Sequence, residues 1–340
     1  MISGPPGREP ADRLAGAILG QALGDALGFV VEAQAPEVAL DYVTHCLRTG
    51  RAGERCHQDF PFGQYSDDTQ LARELIGSFV DCGRWHPEAF ARRLAELFRD
   101  RRDVGAGEGT RSAAQRLLGG VHWRESGTPA PYAGNGSAMR AGPLGVLIPD
   151  RSVVCQVAQE QSRITHQDPR CAAGAVVLAR AVALASLQPL DRDAFLAELI
   201  QCASATAPSM GEAIAGMSAW LHRNPAAAAE HLHCTGLDPL YRGTWRGISA
   251  SVVPSVLWSL YSFLRSPDDY WETVCTAIAV GGDTDTMAAM AGAMSGARLG
   301  PDALPRRLLE RVNDRGEWDA PALTRLARAA ATSGTRSRDD

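Results

Sequence analysis

Residues 11–28 read ADRLAGAILGQALGDALG, and residues 286–300 read TMAAMAGAMSGARLG. In both stretches the apolar side chains recur at helical rather than strand spacing. Each also carries small residues every four positions: Gly16, Gly20, Gly24 and Gly28 in the first, Ala288, Gly292, Gly296 and Gly300 in the second. Glycine costs about 1 kcal/mol against alanine inside a helix, so a run of them needs a compensating contact. Spacing by four lays them along one slowly drifting stripe that a second backbone can approach closely. The expectation is a pair of tightly packed central helices, serving either plain core packing or a site held between them. Gln21 and Asp25 interrupt the first stripe, which argues against a membrane span there.

Outward from these two stretches the helical period continues. It is readable over Thr69–Cys82, Pro87–Arg99, Gly109–Leu118, Val153–Arg163, Arg170–Ser186, Arg192–Thr206, Met210–Arg223, Val253–Leu264 and Tyr270–Ala279. No alternating run is long enough to predict a sheet. The fold class expected is all-α, as one compact helical domain over residues 11–325, with 1–10 and 326–340 as flexible ends. Between the helices, Gly50–Tyr65, Gly119–Pro143 and Cys234–Ser251 are rich in Gly, Pro and aromatics, as functional loops tend to be.

The bulk composition is that of an ordinary globular chain, with 45% hydrophobic and 21% charged among 340 residues. A formal charge of −5 argues against general binding to nucleic acid or anionic membrane. Lysine is absent, and with so much alanine and glycine the arginine excess reads as codon bias. The eight cysteines form no C-x-x-C pair, which suggests free thiols in a reducing compartment. With no secretory pattern at the start and no long apolar span, the expected location is the cytoplasm.

Chemistry concentrates in a few segments. Ser66-Asp67-Asp68-Thr69 stands directly before an apolar helical run, where the unpaired amides of a helix start favour a hydroxyl or a carboxylate. One cap would suffice there, and three such side chains exceed it. Gly281-Gly282-Asp283-Thr284-Asp285-Thr286 repeats the arrangement before the second glycine-striped helix. Residues two apart on a helix point about 200° apart, so Asp283 and Asp285 converge only if the chain is still turning, which the glycine pair permits. Four carboxylates and two hydroxyls are hard oxygen donors suited to Mg²⁺, Mn²⁺ or Ca²⁺ rather than zinc. Gathered without a cation they would repel strongly. Asp25 on its apolar helix needs a partner, and a capping or supporting role fits it. Glu32 just beyond is a ligand, a general base or an ordinary surface carboxylate. Glycines around Asn135 in Tyr132-Ala133-Gly134-Asn135-Gly136-Ser137-Ala138-Met139-Arg140 expose amides that can bind phosphate oxygens, although the same residues also make ordinary turns. Gly105-Ala106-Gly107 is a weaker version of that pattern. His166, taken alone, is the kind of lone histidine that is usually structural.

In this order the segments GAILGQALGDALGFVVEA, GQYSDDTQLARELIGSF, GNGSAMRAGPLG, SRITHQDPRCAAGA and GGDTDTMAAMAGAMSGARLG resemble the ADP-ribosylglycohydrolases, from about residue 12 to 300. The resemblance implies an all-α, orthogonal helical domain with two Mg²⁺ ions, or Mn²⁺ in their place. It implies ligation by Ser66, Asp67, Asp68, Asp283, Asp285 and Thr286. Glu32 falls on a catalytically important glutamate, and Asp67 and Asp68 are the other carboxylates that could serve the attacking water. Gly134, Asn135, Gly136, Ser137 and Met139 fall on a phosphate-binding loop, Gly105 and Gly107 on a further substrate-facing turn, and His166 on a substrate-contacting histidine. Gly105-Ala106-Gly107, and Val252-Val253-Pro254 with Phe263-Leu264-Arg265, look closer to the serine-directed branch. Departures are Ser66 for a usual threonine, and Ile248 and Val104 where relatives carry a tyrosine near the nucleotide.

The activity so implied is Mg²⁺-dependent hydrolysis releasing ADP-ribose from protein side chains or related acceptors, with serine or another O-linked acceptor favoured over arginine. The alternative is a non-catalytic protein binding ADP-ribose or metal on the same scaffold. A terpene-type synthase would want a third carboxylate at 71, where Leu71 stands.

Overall fold

The computed structural model describes residues 9–237 and 245–333, so the expected loop Cys234–Ser251 lies partly outside the described residues, as do 1–8 and 334–340 of the expected ends. Sixteen α-helices occur among the described residues. They are α1 (Pro10–Phe29), α2 (Pro36–Tyr42), α3 (Asp67–Cys82), α4 (Pro87–Arg99), α5 (Glu108–Leu118), α6 (Leu144–Leu147), α7 (Arg151–Thr165) and α8 (Pro169–Ala185). The rest are α9 (Arg192–Thr206), α10 (Pro208–Ala215), α11 (Pro225–Leu232), α12 (Val252–Arg265), α13 (Tyr270–Ile278), α14 (Thr284–Leu299), α15 (Arg306–Leu309) and α16 (Ala320–Ser333). Extended pairing among them is limited to isolated bridges. The all-α expectation holds.

The two glycine stripes are one seam. α1 and α14 run antiparallel, and every residue of α1 from Leu14 to Phe29 is buried. A Cβ on Gly16, Gly20, Gly24 or Gly28 would run into the backbone carbonyl of Gly296, Gly292, Ala288 or Thr284 respectively, closer than any real Cβ contact. The reverse holds for Gly292 against the Gly20 carbonyl and Gly296 against that of Gly16. Hydrogen bonds mark the same line, with the Thr284 hydroxyl donating to the Gly28 carbonyl and the Tyr270 hydroxyl to that of Gly20, each at 2.8 Å. Side chains are thus excluded along the whole seam, and the backbones meet directly. α16 and α3 pack on the other faces of α1, while α12, α13 and α8 surround α14.

Two boundaries differ from expectation. The helix read over Met210–Arg223 stops at Ala215 and tightens into a 3₁₀ turn over Gly216–Ala219, because a glycine adds little helix preference there. At the other end, α16 runs to Ser333, past the expected domain limit of 325. It buries Leu323, Ala327 and Ala330, an alanine-rich face whose weak polarity contrast resembled a frayed tail. All eight cysteines are free thiols. No helix among the described residues is long and apolar enough to cross a membrane.

Candidate active site

The seam fixes the start of α3. From α1, the Asp25 carboxylate accepts the Ser66 amide at 2.8 Å, the Thr69 amide at 3.0 Å and the Thr69 hydroxyl at 2.6 Å. Gln21 Nε2 donates to the Asp68 carbonyl at 3.0 Å. The two polar residues that interrupt the first stripe therefore hold the first turn of the acidic helix, and Asp25 has the capping task expected of it. The Asp67 amide donates to the Val104 carbonyl at 2.7 Å, which brings the 104–107 turn alongside.

The start of α14 is set by the glycine pair. Gly281 and Gly282 lie at φ +70° and +84°, in the left-handed region that favours glycine. Gly282 exchanges hydrogen bonds with the segment after α1: its carbonyl accepts the Ala33 amide at 2.8 Å and its amide donates to the Gln34 carbonyl at 2.9 Å. The Asp283 amide donates to the Ile248 carbonyl at 2.8 Å, and a Cβ on Gly282 would strike that same backbone. Asp283 is still non-helical, at φ −83° and ψ 65°, and α14 begins at Thr284. The chain is turning where convergence required it to turn.

Two carboxylate groups result. Asp25, Asp68 and Asp285 offer oxygens that all lie within 4.8 Å of one another, and so do Glu32, Asp283 and Asp285. Asp285 belongs to both. The Ser66 and Thr286 hydroxyls both donate to Asp68 Oδ2, at 2.8 and 3.3 Å. Asp67 joins neither triad but lines the same cavity. Burial first, and the Asp285 charge next, push Glu32 up to about 10 and Asp25 up to about 7. The same two causes hold Asp67, Asp68 and Asp283 well above the carboxylate range, and burial raises Asp285. Asp68 Oδ1 and Asp285 Oδ1 are buried with no hydrogen-bond partner. A buried orphan acceptor is costly, and all the donors here are hard oxygens, so the residues fit a divalent cation shared through Asp285.

The carboxylates Glu32, Asp67, Asp68, Asp283 and Asp285 line a cavity of about 220 Å³ together with Thr286, Gly105, Gly107, Gly134, Asn135, Gly136, Met139 and His166. Asn135 ties the glycine loop to the acidic wall: its amide donates to the Ala250 carbonyl at 3.0 Å, and its Nδ2 to Ser255 Oγ at 2.9 Å and to the Asp283 carboxylate. His166 is buried, with Nδ1 2.8 Å from Thr165 Oγ1 and its ring stacked on Tyr132 at 5.8 Å. Burial pushes this imidazole down to about 3, so it is neutral. Gly109, Gly134 and Gly136 leave room for it, since a Cβ on any of them would press on the His166 ring.

Two expected residues stand back from the cavity. Ser66 is fully buried beneath Asp68. Ser137 is fully buried and turns its hydroxyl away, to the Cys171 carbonyl at 3.2 Å and the Ser162 hydroxyl at 2.9 Å. Ile248 is also fully buried, because its carbonyl supports Asp283. Sequence reasoning missed Trp245 and gave Tyr132 no role of its own at the head of the glycine loop; both line this cavity and a neighbouring one of about 220 Å³ that extends to Arg170, Leu237 and Ser249. The available signal was an aromatic set among glycines in an irregular stretch.

The family model described as ADP-ribosylglycohydrolase matches residues 6–339. The chain is 28% identical to ADP-ribosylhydrolase ARH3 of Gallus gallus, covering 88% of each chain. It is 27% identical to the ADP-ribosyl-[dinitrogen reductase] glycohydrolase of Rhodospirillum rubrum, covering 89% of this chain and 90% of that one. Among solved structures it is similar to a chain described as an ADP-ribosylglycohydrolase-related protein complex. The TM-score is 0.71 at 25% identity, covering 96% of this chain and 99% of that one.

Proposed function

The chain belongs to the ADP-ribosylglycohydrolase family, which makes it an ADP-ribosyl glycohydrolase, and on that premise we propose that it releases ADP-ribose from modified protein side chains, serine-linked in preference to arginine-linked. One observation carries the reading: two carboxylate triads sharing Asp285 wall, with all their members but the buried Asp25, a cavity also lined by the Gly134–Gly136 loop and His166. Two Mg²⁺ ions, or Mn²⁺ in their place, held by Ser66, Asp67, Asp68, Asp283, Asp285 and Thr286, would supply positive charge and Lewis acidity toward the ribose hydroxyls.

The chain's own groups do the rest. Backbone amides of the glycine loop and the turn at Gly105 and Gly107 take the diphosphate oxygens. Glu32, half-buried at the edge of the second triad, orients the attacking water and accepts its proton once the charge of the two cations would draw its raised carboxyl back to the ionised form, with Asp67 and Asp68 as the other carboxylates within the cavity. Oxygen of the water bonds to the anomeric carbon, the bond to the acceptor breaks, and the proton taken from the water passes on from the carboxylate to the departing side-chain oxygen. An arginine acceptor leaves readily only when protonated and profits from an acid beside it. The segments matched to the family offer no evident dedicated acid for that role, which supports the O-linked preference.

Release of ADP-ribose from serine-linked, arginine-linked and O-acetyl substrates at equal concentration tests the reading. A kcat/KM favouring serine is expected. A value favouring arginine tenfold, about 1.4 kcal/mol, overturns the preference. Tight binding of ADP-ribose with no release from any substrate would identify a non-catalytic binding protein.

A further inference from the structure

Arg140 is fully buried, and no carboxylate among the described residues lies within ion-pair distance of it. Its guanidinium donates only to neutral acceptors. Nε bonds Gln161 Oε1 at 2.7 Å, Nη1 the Gly136 carbonyl at 3.1 Å, and Nη2 both the Gln161 carbonyl at 2.9 Å and Thr165 Oγ1 at 2.8 Å. Its remaining face lies over the Phe90 ring, at 5.2 Å. A buried cation that feels a carboxylate, Asp67, only beyond ion-pair distance is costly unless an anion comes closer.

Two of these bonds reach the cavity. Pinning the Gly136 carbonyl turns the Ser137 amide of the same planar peptide away from Arg140, and that amide has no acceptor among the described residues. Thr165 Oγ1 accepts from Arg140 and lies 2.8 Å from His166 Nδ1, but 3.5 Å from its other acceptor, the Ser162 carbonyl. The hydroxyl proton goes to the nearer partner, and a hydroxyl polarised by a guanidinium is the better donor. His166 Nδ1 is then the acceptor, and a neutral imidazole must carry its proton on Nε2.

We propose that Arg140 is a positioning residue which, through the Gly136 carbonyl and Thr165, presents the Ser137 amide and a His166 Nε2–H as paired donors to a phosphate oxygen of the substrate. The identity of that anion rests on the ADP-ribose reading above, whereas the tautomer rests on the hydrogen bonds and on the burial that keeps the ring neutral.

Histidine-ring ¹⁵N–¹H correlation spectra of the ligand-free protein, with His166→Gln for assignment, are expected to show the Nε2–H form of His166. A proton on Nδ1 overturns the proposal, whatever the enzyme acts on. Calorimetry with ADP-ribose then tests the consequence. Thr165→Val should weaken binding about tenfold, the loss of one buried hydrogen bond's support, and Thr165→Ser should restore it, with the Mg²⁺-induced rise in Tm unchanged in both. Unchanged affinity in Thr165→Val also overturns the proposal. Failure of the unmodified protein to bind ADP-ribose would overturn the anion assignment and the functional reading together, and leave the tautomer standing or falling on its spectrum.

Discussion

Replacing Gly20 by alanine sets helix preference against packing. In an open helix the change would stabilise by about 1 kcal/mol. Here the new methyl would meet the Gly292 carbonyl head-on, with the Gly296 Cα at 3.0 Å and the Gly292 carbonyl carbon at 3.2 Å behind it. None of these is the end of a flexible side chain, so α1 and α14 would have to separate by roughly 1 Å to reach ordinary contact distance. Overpacking of a rigid core costs about 1–3 kcal/mol, and the upper end applies where backbone faces backbone. The net expectation is a loss of about 2 kcal/mol, which for a chain of this length lowers Tm by about 3 °C. Gly216→Ala is the matched control, since nothing lies within 4 Å of that Cβ position and the backbone is helical. It should leave Tm unchanged or slightly raised. Thermal melts of both variants in Mg²⁺ and in EDTA give the comparison. A Gly20→Ala protein as stable as the Gly216→Ala protein would refute the backbone seam. Because the same seam carries Asp285 toward Glu32 and Asp68, Gly20→Ala should also weaken Mg²⁺ binding, read as a smaller Mg²⁺-induced rise in Tm.

In EDTA, stability should fall as pH rises from about 4 through about 7. Folded Asp25 holds its proton to about 7 while the unfolded chain loses it near 3.8, a slope of up to about 1.4 kcal/mol per pH unit. Mg²⁺ should flatten that slope, and an EDTA curve independent of pH would contradict the clustered carboxylates. Asp285→Asn should abolish the Mg²⁺-induced rise in Tm yet melt higher than the unmodified protein in EDTA, because the shared charge is gone. Asp67→Asn, outside both triads, should retain part of the Mg²⁺ effect. Glu32→Gln should cut kcat far more than it weakens ADP-ribose binding by calorimetry; a large loss of affinity with kcat preserved would assign Glu32 to binding.

Much of the fold was legible because helix periodicity is local: apolar spacing marks which residues share a face, and the eight expected helices outside the seam and Met210–Arg223 need no tertiary partner to be read. The stripe of Gly16 to Gly28 and its counterpart Ala288 to Gly300 announced a close approach, since glycine in a helix interior is unfavourable without one. Ser66-Asp67-Asp68 and Asp283-Thr284-Asp285 were recognisable as oxygen donors from residue type alone. Which oxygens meet was not. That Asp285 serves both triads follows from the antiparallel register of α1 and α14, and that Asp283 joins it follows from the Ile248 and Gln34 backbones gripping Gly282. The same contacts bury Ile248 and leave Trp245 facing the cavity, and Ser162 and Cys171 draw the Ser137 hydroxyl out of it. Periodicity within a segment carries no term for contacts between separate segments of the chain, and those contacts decide which side chains the cavity receives.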